Sequence, residues 1–153
     1  MKVKTFLMLL VVFGMFFASC KQNLSTKEFM VDSWETTYLK IEMPTYNKSD
    51  SLVIFEDKFD NNPARIAQSK YNADGTFSAW FINKGEEKGE SKGTWNVKSD
   101  SLYIAFFYGG RDVKVAYYIT KTDEGFLGES KYDWDEDGEI DDTLLMKTKR
   151  IKK

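Results

Sequence analysis

The chain contains no histidine, one cysteine and two prolines in 153 residues. Without histidine, the Ser-His-Asp and Cys-His catalytic schemes and histidine-ligated zinc are excluded. With Cys20 as the single cysteine, no disulfide can form within a monomer. Basic residues are not clustered either: 22 Lys and Arg are interspersed with 24 Asp and Glu, so there is no stripe to follow a nucleic-acid backbone. Any enzyme would have to work with carboxylates, Lys, Tyr or Ser, and no spacing here singles out an acid and a base. The expectation is a protein that is not an enzyme and does not bind nucleic acid. Aromatics, in contrast, are abundant, with twelve Phe, eight Tyr and four Trp, enough to fill the core of one domain.

The one long apolar run stands at the start. Lys2 and Lys4 precede the uncharged segment Phe6–Phe17, and Ala18-Ser19-Cys20 follows. The run is shorter than the ~20 residues a membrane-spanning helix needs, and its layout is that of a secretory signal. Ala-Ser-Cys resembles the lipobox of bacterial lipoproteins, in which the Cys is acylated and becomes the new N-terminus. Phe17 stands where that pattern usually has Leu. The resemblance implies a signal peptide over 1–19, lipidation of Cys20, and attachment to a membrane of the bacterial cell envelope, the outer membrane being the expected one. The mature chain would be acidic, so acyl chains rather than surface charge would hold it there.

Residues 20–32 read as a polar tether carrying a short helical turn, which the Ser25/Glu28 pair would cap. Phe29 or Met30 is expected to pack on the body. From residue 33 to 153 the pattern is one of strands. Trp34–Met43 alternates, but Trp34 is out of phase with Leu39, Ile41 and Met43, which requires a bulge near Thr36-Thr37. Tyr46–Ile66 reads as a surface connection, the alternative being a lid over one end; Ser51–Phe55 is a candidate short strand within it, and Phe55 and Phe59 are spaced for one face of a helical turn. Tyr71–Tyr108 is an antiparallel meander: Asn72–Gly75 turns into Thr76–Asn83, and Gly93–Lys98 and Ser101–Tyr108 follow. Further strands are expected around Val113–Ile119, Phe126–Tyr132 and Thr143–Ile151. About eight strands at roughly ten-residue spacing, with little helix, predict an all-β antiparallel meander that hides its edges by closing into a barrel. Leu102–Tyr108 is apolar on both faces, so its outer side is expected to be covered.

Trp34, Asp74-Gly-Thr-Phe77, Gly93-Thr-Trp95, Ser99-Asp-Ser-Leu102 and Lys149-Arg-Ile151 together resemble the lipocalin-like domains of small bacterial lipoproteins. That resemblance spans about 33 to 151 and implies an eight-stranded barrel, in which Arg150 would stack on Trp34 to close one mouth. It also implies a small hydrophobic ligand in the cup. Trp80, Trp95, Phe106 and Tyr117 are the candidate lining residues, although aromatics of this kind, taken one at a time, are more often plain core. The alternative is an envelope module that holds a protein partner by an exposed apolar face.

The sharpest local motif is Asp133-Trp-Asp-Glu-Asp-Gly-Glu-Ile-Asp-Asp142. Oxygen side chains at positions one, three and five with Gly at six resemble an EF-hand-type calcium loop. Asp133, Asp135 and Asp137 would give side chains, Glu139 its carbonyl, and Asp141 a direct or water-mediated contact. Leu144 stands where the bidentate acid would be, and the flanks read as strands. The opposing reading is a solvated acidic hairpin. If calcium binds, it is expected to stiffen the connection and to catalyse nothing.

Overall fold

Between Arg111 and Lys121 every second residue is buried: Val113, Val115, Tyr117 and Ile119 face inward, while Asp112, Lys114, Ala116 and Tyr118 face solvent. A strand apolar on one face must share that face with others, and here the sheet curls round to meet itself. The protein is described from a computed structural model, which covers residues 24–60, 65–83, 86 and 89–152. The expected signal segment 1–19 and Cys20 lie outside the described residues. In chain order the elements are α1 (Thr26–Met30), β1 (Ser33–Met43), a 3-10 turn (Tyr46–Lys48), β2 (Val53–Lys58), β3 (Arg65–Tyr71) and β4 (Thr76–Asn83). β5 (Gly89–Lys98), β6 (Ser101–Tyr108), β7 (Arg111–Lys121), β8 (Phe126–Tyr132) and β9 (Asp142–Arg150) follow.

β3 to β9 form an antiparallel meander, and β1 pairs with β9 to close an eight-stranded barrel, with β2 as an additional strand. β1 is shared. Its first residues, Ser33–Glu35, pair with Gln68–Lys70 of β3, and Tyr38–Met43 pair with β2. Along its other edge it pairs with β9, and the register shifts between Thr36 and Tyr38. That bulge brings Trp34 and the Leu39/Ile41 set onto the same inner face.

The short strand expected at Ser51–Phe55 is present as β2, shifted to Val53–Lys58. Phe55 and Phe59 are not on a helical turn; Phe55 lies in β2 opposite Ile41, and the Phe59 amide donates to the Thr37 carbonyl. A spacing of four puts two residues on one side of a strand as well as of a helix.

The core runs through the barrel as side chains, among them Tyr71, Phe77, Trp95, Leu102, Ile104, Val115, Tyr117 and Phe126. Each large apolar side chain so buried contributes about 1.5–3 kcal/mol. Gly93 belongs to this packing, because a Cβ there would stand 1.9 Å from the carbonyl oxygen of Ala105 on β6. The outer side of β6 is not covered as expected. Tyr103 and Phe107 are 45% and 60% exposed, with Lys98 lying 5.9 Å above the Tyr103 ring.

Candidate functional site

The two ends of the barrel differ. At one, α1 acts as a plug. Ser25 accepts from the Glu28 amide while the Glu28 carboxylate accepts from the Ser25 amide, so the capping box sets the helix start. The helix then delivers Met30, fully buried, beneath Trp34, which is also fully buried and donates its indole N–H to the Met30 carbonyl at 3.1 Å. Phe29 and Phe126 pack on the Trp34 ring at 5.2 and 5.0 Å. The Arg150 guanidinium lies 4.4 Å over the same ring, donates to the Phe29 carbonyl and pairs with Asp32. One mouth is thus closed by an apolar plug under a cation.

At the opposite rim the inner face carries half-exposed aromatics. Phe106 touches Phe77 and Tyr108, with ring centroids 5.9 and 6.3 Å apart, and Tyr108 is 62% exposed. Phe81 meets Phe59 edge-on at 5.9 Å, and Arg65 covers Phe59 while pairing with Asp57. Phe55 shares the inner side of β2 with Val53 and Asp57, because its partner Ile41 faces the core.

Of the four aromatics expected to line a cup, only Phe106 stands at this open rim. Trp95 is buried near the plugged end, donating to the Asn72 carbonyl at 2.9 Å and packing edge-on to Tyr71. Tyr117 is buried mid-barrel, and burial pushes its phenol above the ordinary tyrosine range. Trp80 is on the outer face of β4, the face opposite Phe77 and Ala79. It is paired with Gln68, to which its indole N–H donates at 3.1 Å. Gln68 in turn reaches Glu35, and Glu35 reaches Lys149, which makes an external polar chain. The strand phase set by Phe77 identifies Phe81 as the inward residue, a signal present in the sequence but outweighed there by the size of Trp80.

Next to the open rim is the acidic loop between β8 and β9. Its backbone winds round its own carboxylates: Asp133 accepts from the Gly138 amide at 3.2 Å, Asp135 from Asp137 at 3.1 Å, and Asp137 from Glu139 at 2.8 Å. Gly138 has φ +95°, the left-handed turn that a glycine permits at the sixth position. Asp142, the first residue of β9, is 1% exposed and accepts from the amides of Trp134 (2.6 Å) and Asp135 (3.1 Å). Carboxylate oxygens of Asp133, Asp135 and Asp142 lie within 4.8 Å of one another, an arrangement that can hold a metal ion. Burial, together with the charges of Asp135 and Asp141, pushes the Asp142 carboxyl upward against its two amide donors.

The expected ligand set is thus only partly assembled. Asp133 and Asp135 are in the cluster. Asp137 and Asp141 instead accept from the Thr45 hydroxyl, at 3.3 and 3.1 Å, and Glu139 is exposed. Spacing along the loop does not single out Asp142; strand phase does, since it shares the inward face of β9 with Leu144. An acid at an inward strand position needs a partner. The loop is further tied down by Arg111, which donates to the Asp133 carbonyl at 2.7 Å and pairs with Glu136 at 3.2 Å. The Asn47 amide donates to Asp135 at 3.0 Å.

Two recesses lie outside the barrel. A shallow groove of about 590 Å³ crosses the outer wall where β7 and β8 pair only over Tyr118–Lys121, and it is lined by charged and apolar residues such as Lys40, Glu129, Lys131 and Leu145. A smaller one of about 390 Å³ separates Lys48–Asp50 from Asp137–Glu139. Comparison of the chain with protein-family models, curated proteins and solved structures found no match.

Proposed function

We propose that this protein is a membrane-anchored, non-catalytic binding module of the bacterial cell envelope, and that its open barrel mouth takes one small apolar molecule. The observation that supports this most is the asymmetry of the two ends. Trp34 and Met30 are fully buried at one, whereas Phe106, Tyr108, Phe81 and Phe59 line the inner face of the other and leave apolar surface within reach of solvent. The eight-stranded barrel and the Trp34–Arg150 stack support a lipocalin-like reading, and the segment before Cys20 supports lipidation. For the acidic loop we propose Ca²⁺, because the donors on offer are all hard oxygens. The ion's task there is structural.

The test is uptake of the uncharged apolar fluorophore N-phenyl-1-naphthylamine by residues 21–153. Saturable binding that is lost in Phe106→Asp and kept in Tyr103→Asp is expected. The second reading, a protein-interaction module, rests on the exposed outer residues Tyr103, Phe107 and Tyr118. Uptake lost in Tyr103→Asp and kept in Phe106→Asp would favour it. Anchoring is checked separately: Cys20→Ala should move the full-length protein from the membrane to the soluble fraction, and continued membrane association would defeat the lipid anchor.

A further inference from the structure

Two carboxylate oxygens in the acidic loop are buried with no hydrogen-bond partner among the described residues: Oδ1 of Asp133 and Oδ1 of Asp142. Asp142 is the telling one. Its Oδ2 already accepts two backbone amides, its residue is 1% exposed, and its Oδ1 is left with neither protein donor nor water access. Among the described residues no salt bridge reaches Asp142 or Asp135. The nearby cation, Arg111, is directed to Asp133 and Glu136 instead. A buried anion in that state calls for an external positive charge.

Resting on the reading of this loop as a Ca²⁺ site, we infer that Asp142 is the ligand that completes it, in place of the absent acid at the twelfth position of the loop. Asp133 directly follows β8, Asp142 opens β9, and Asp135 lies between them, so an ion held by the three clamps the two strands together at the open rim. The remaining coordination falls to backbone carbonyls and water, since Ca²⁺ takes six to eight oxygens. Asp137 and Asp141 have a different task. Through Thr45 they hold the β1–β2 connection against the loop, and the Asn47 amide on Asp135 links that connection directly to a ligand. With three carboxylates and no bidentate Glu, affinity is expected in the roughly 0.1–1 mM range of extracellular calcium modules.

The experiment is calorimetric titration of residues 21–153 with Ca²⁺, accompanied by Tb³⁺ luminescence excited through Trp134, a residue of the loop itself. Wild type is expected to bind one ion. Asp142→Asn should weaken binding by about tenfold or more, the scale on which ligand charge tunes such sites, while Asp141→Asn changes it little. Asp142→Asn binding like wild type would overturn the assignment of Asp142. So would loss of binding in Asp141→Asn, an arm that stands even if the Asp142 variant does not fold. Absence of any ion binding by wild type would instead overturn the underlying cation reading, together with everything inferred from it.

Discussion

A single methyl group tests the seam between β5 and β6. Gly93 has no room for a Cβ, since Ala105 backbone atoms already occupy its place. Gly93→Ala must push the two strands apart, and a loss of about 3 kcal/mol, the upper end of overpacking costs, is expected in the urea midpoint. An unfolding free energy within ~0.5 kcal/mol of wild type would show that the seam is looser than described. The buried phenols give a second prediction at this scale. Burial raises Tyr71 and Tyr117 above their ordinary value of 10.0, so the folded state holds protons that the unfolded chain releases first. Their contribution to stability is fully present below about pH 10 and is lost as pH climbs beyond it. Urea midpoints followed into alkali should fall, and Tyr71→Phe with Tyr117→Phe should flatten the decline; an unchanged slope would contradict the burial. Individual residues were also where the sequence was hardest to read. Trp80 and Trp95 look alike in composition, yet one carries an external hydrogen bond to Gln68 and the other is core. Asp142 looked like one more loop acid, and only the inward phase of β9 sets it apart.

Elements were easier to read where one periodicity had no rival. β4 and β6 begin and end where turn chemistry and alternation put them, and the capping box at Ser25 marked α1. β5 starts earlier than expected, at Gly89, because β4 offers Phe81 and Trp80 as partners that local sequence does not reveal. β2 was legible only in part: Ser51–Phe55 reads as a short strand, but the spacing of Phe55 and Phe59 fits helix and strand alike, and the pairing with β1 carries the strand on to Lys58. The outer face of β6 shows that an apolar pattern can demand a cover that the fold does not supply. For α1, the prediction concerns its role as a plug. Met30→Ala should cost about 2–5 kcal/mol, the range for emptying a buried methionine site, read from chemical denaturation with Trp34 fluorescence as reporter. A cost near zero would mean that the helix rests on the barrel without sealing it.

At the scale of the whole molecule, closure by β1 and β9 gives a barrel filled by side chains, with one plugged end and one aromatic rim, and a carboxylate cluster sits beside that rim. The barrel was legible because a two-residue period over so many short strands has few solutions that hide every edge. The closed mouth was expected from the Trp34–Arg150 pair, whereas the part played by α1, which folds back to bury Met30 beneath Trp34, depends on tertiary packing that local sequence does not show. The central claim is that the open end takes a small apolar molecule. Its most direct test is a native mass spectrum of residues 21–153, isolated gently and without chelator. A retained small-molecule adduct is predicted, present in wild type and missing from Phe106→Asp. A bare polypeptide mass, in a preparation that also takes up no apolar fluorophore, would contradict it.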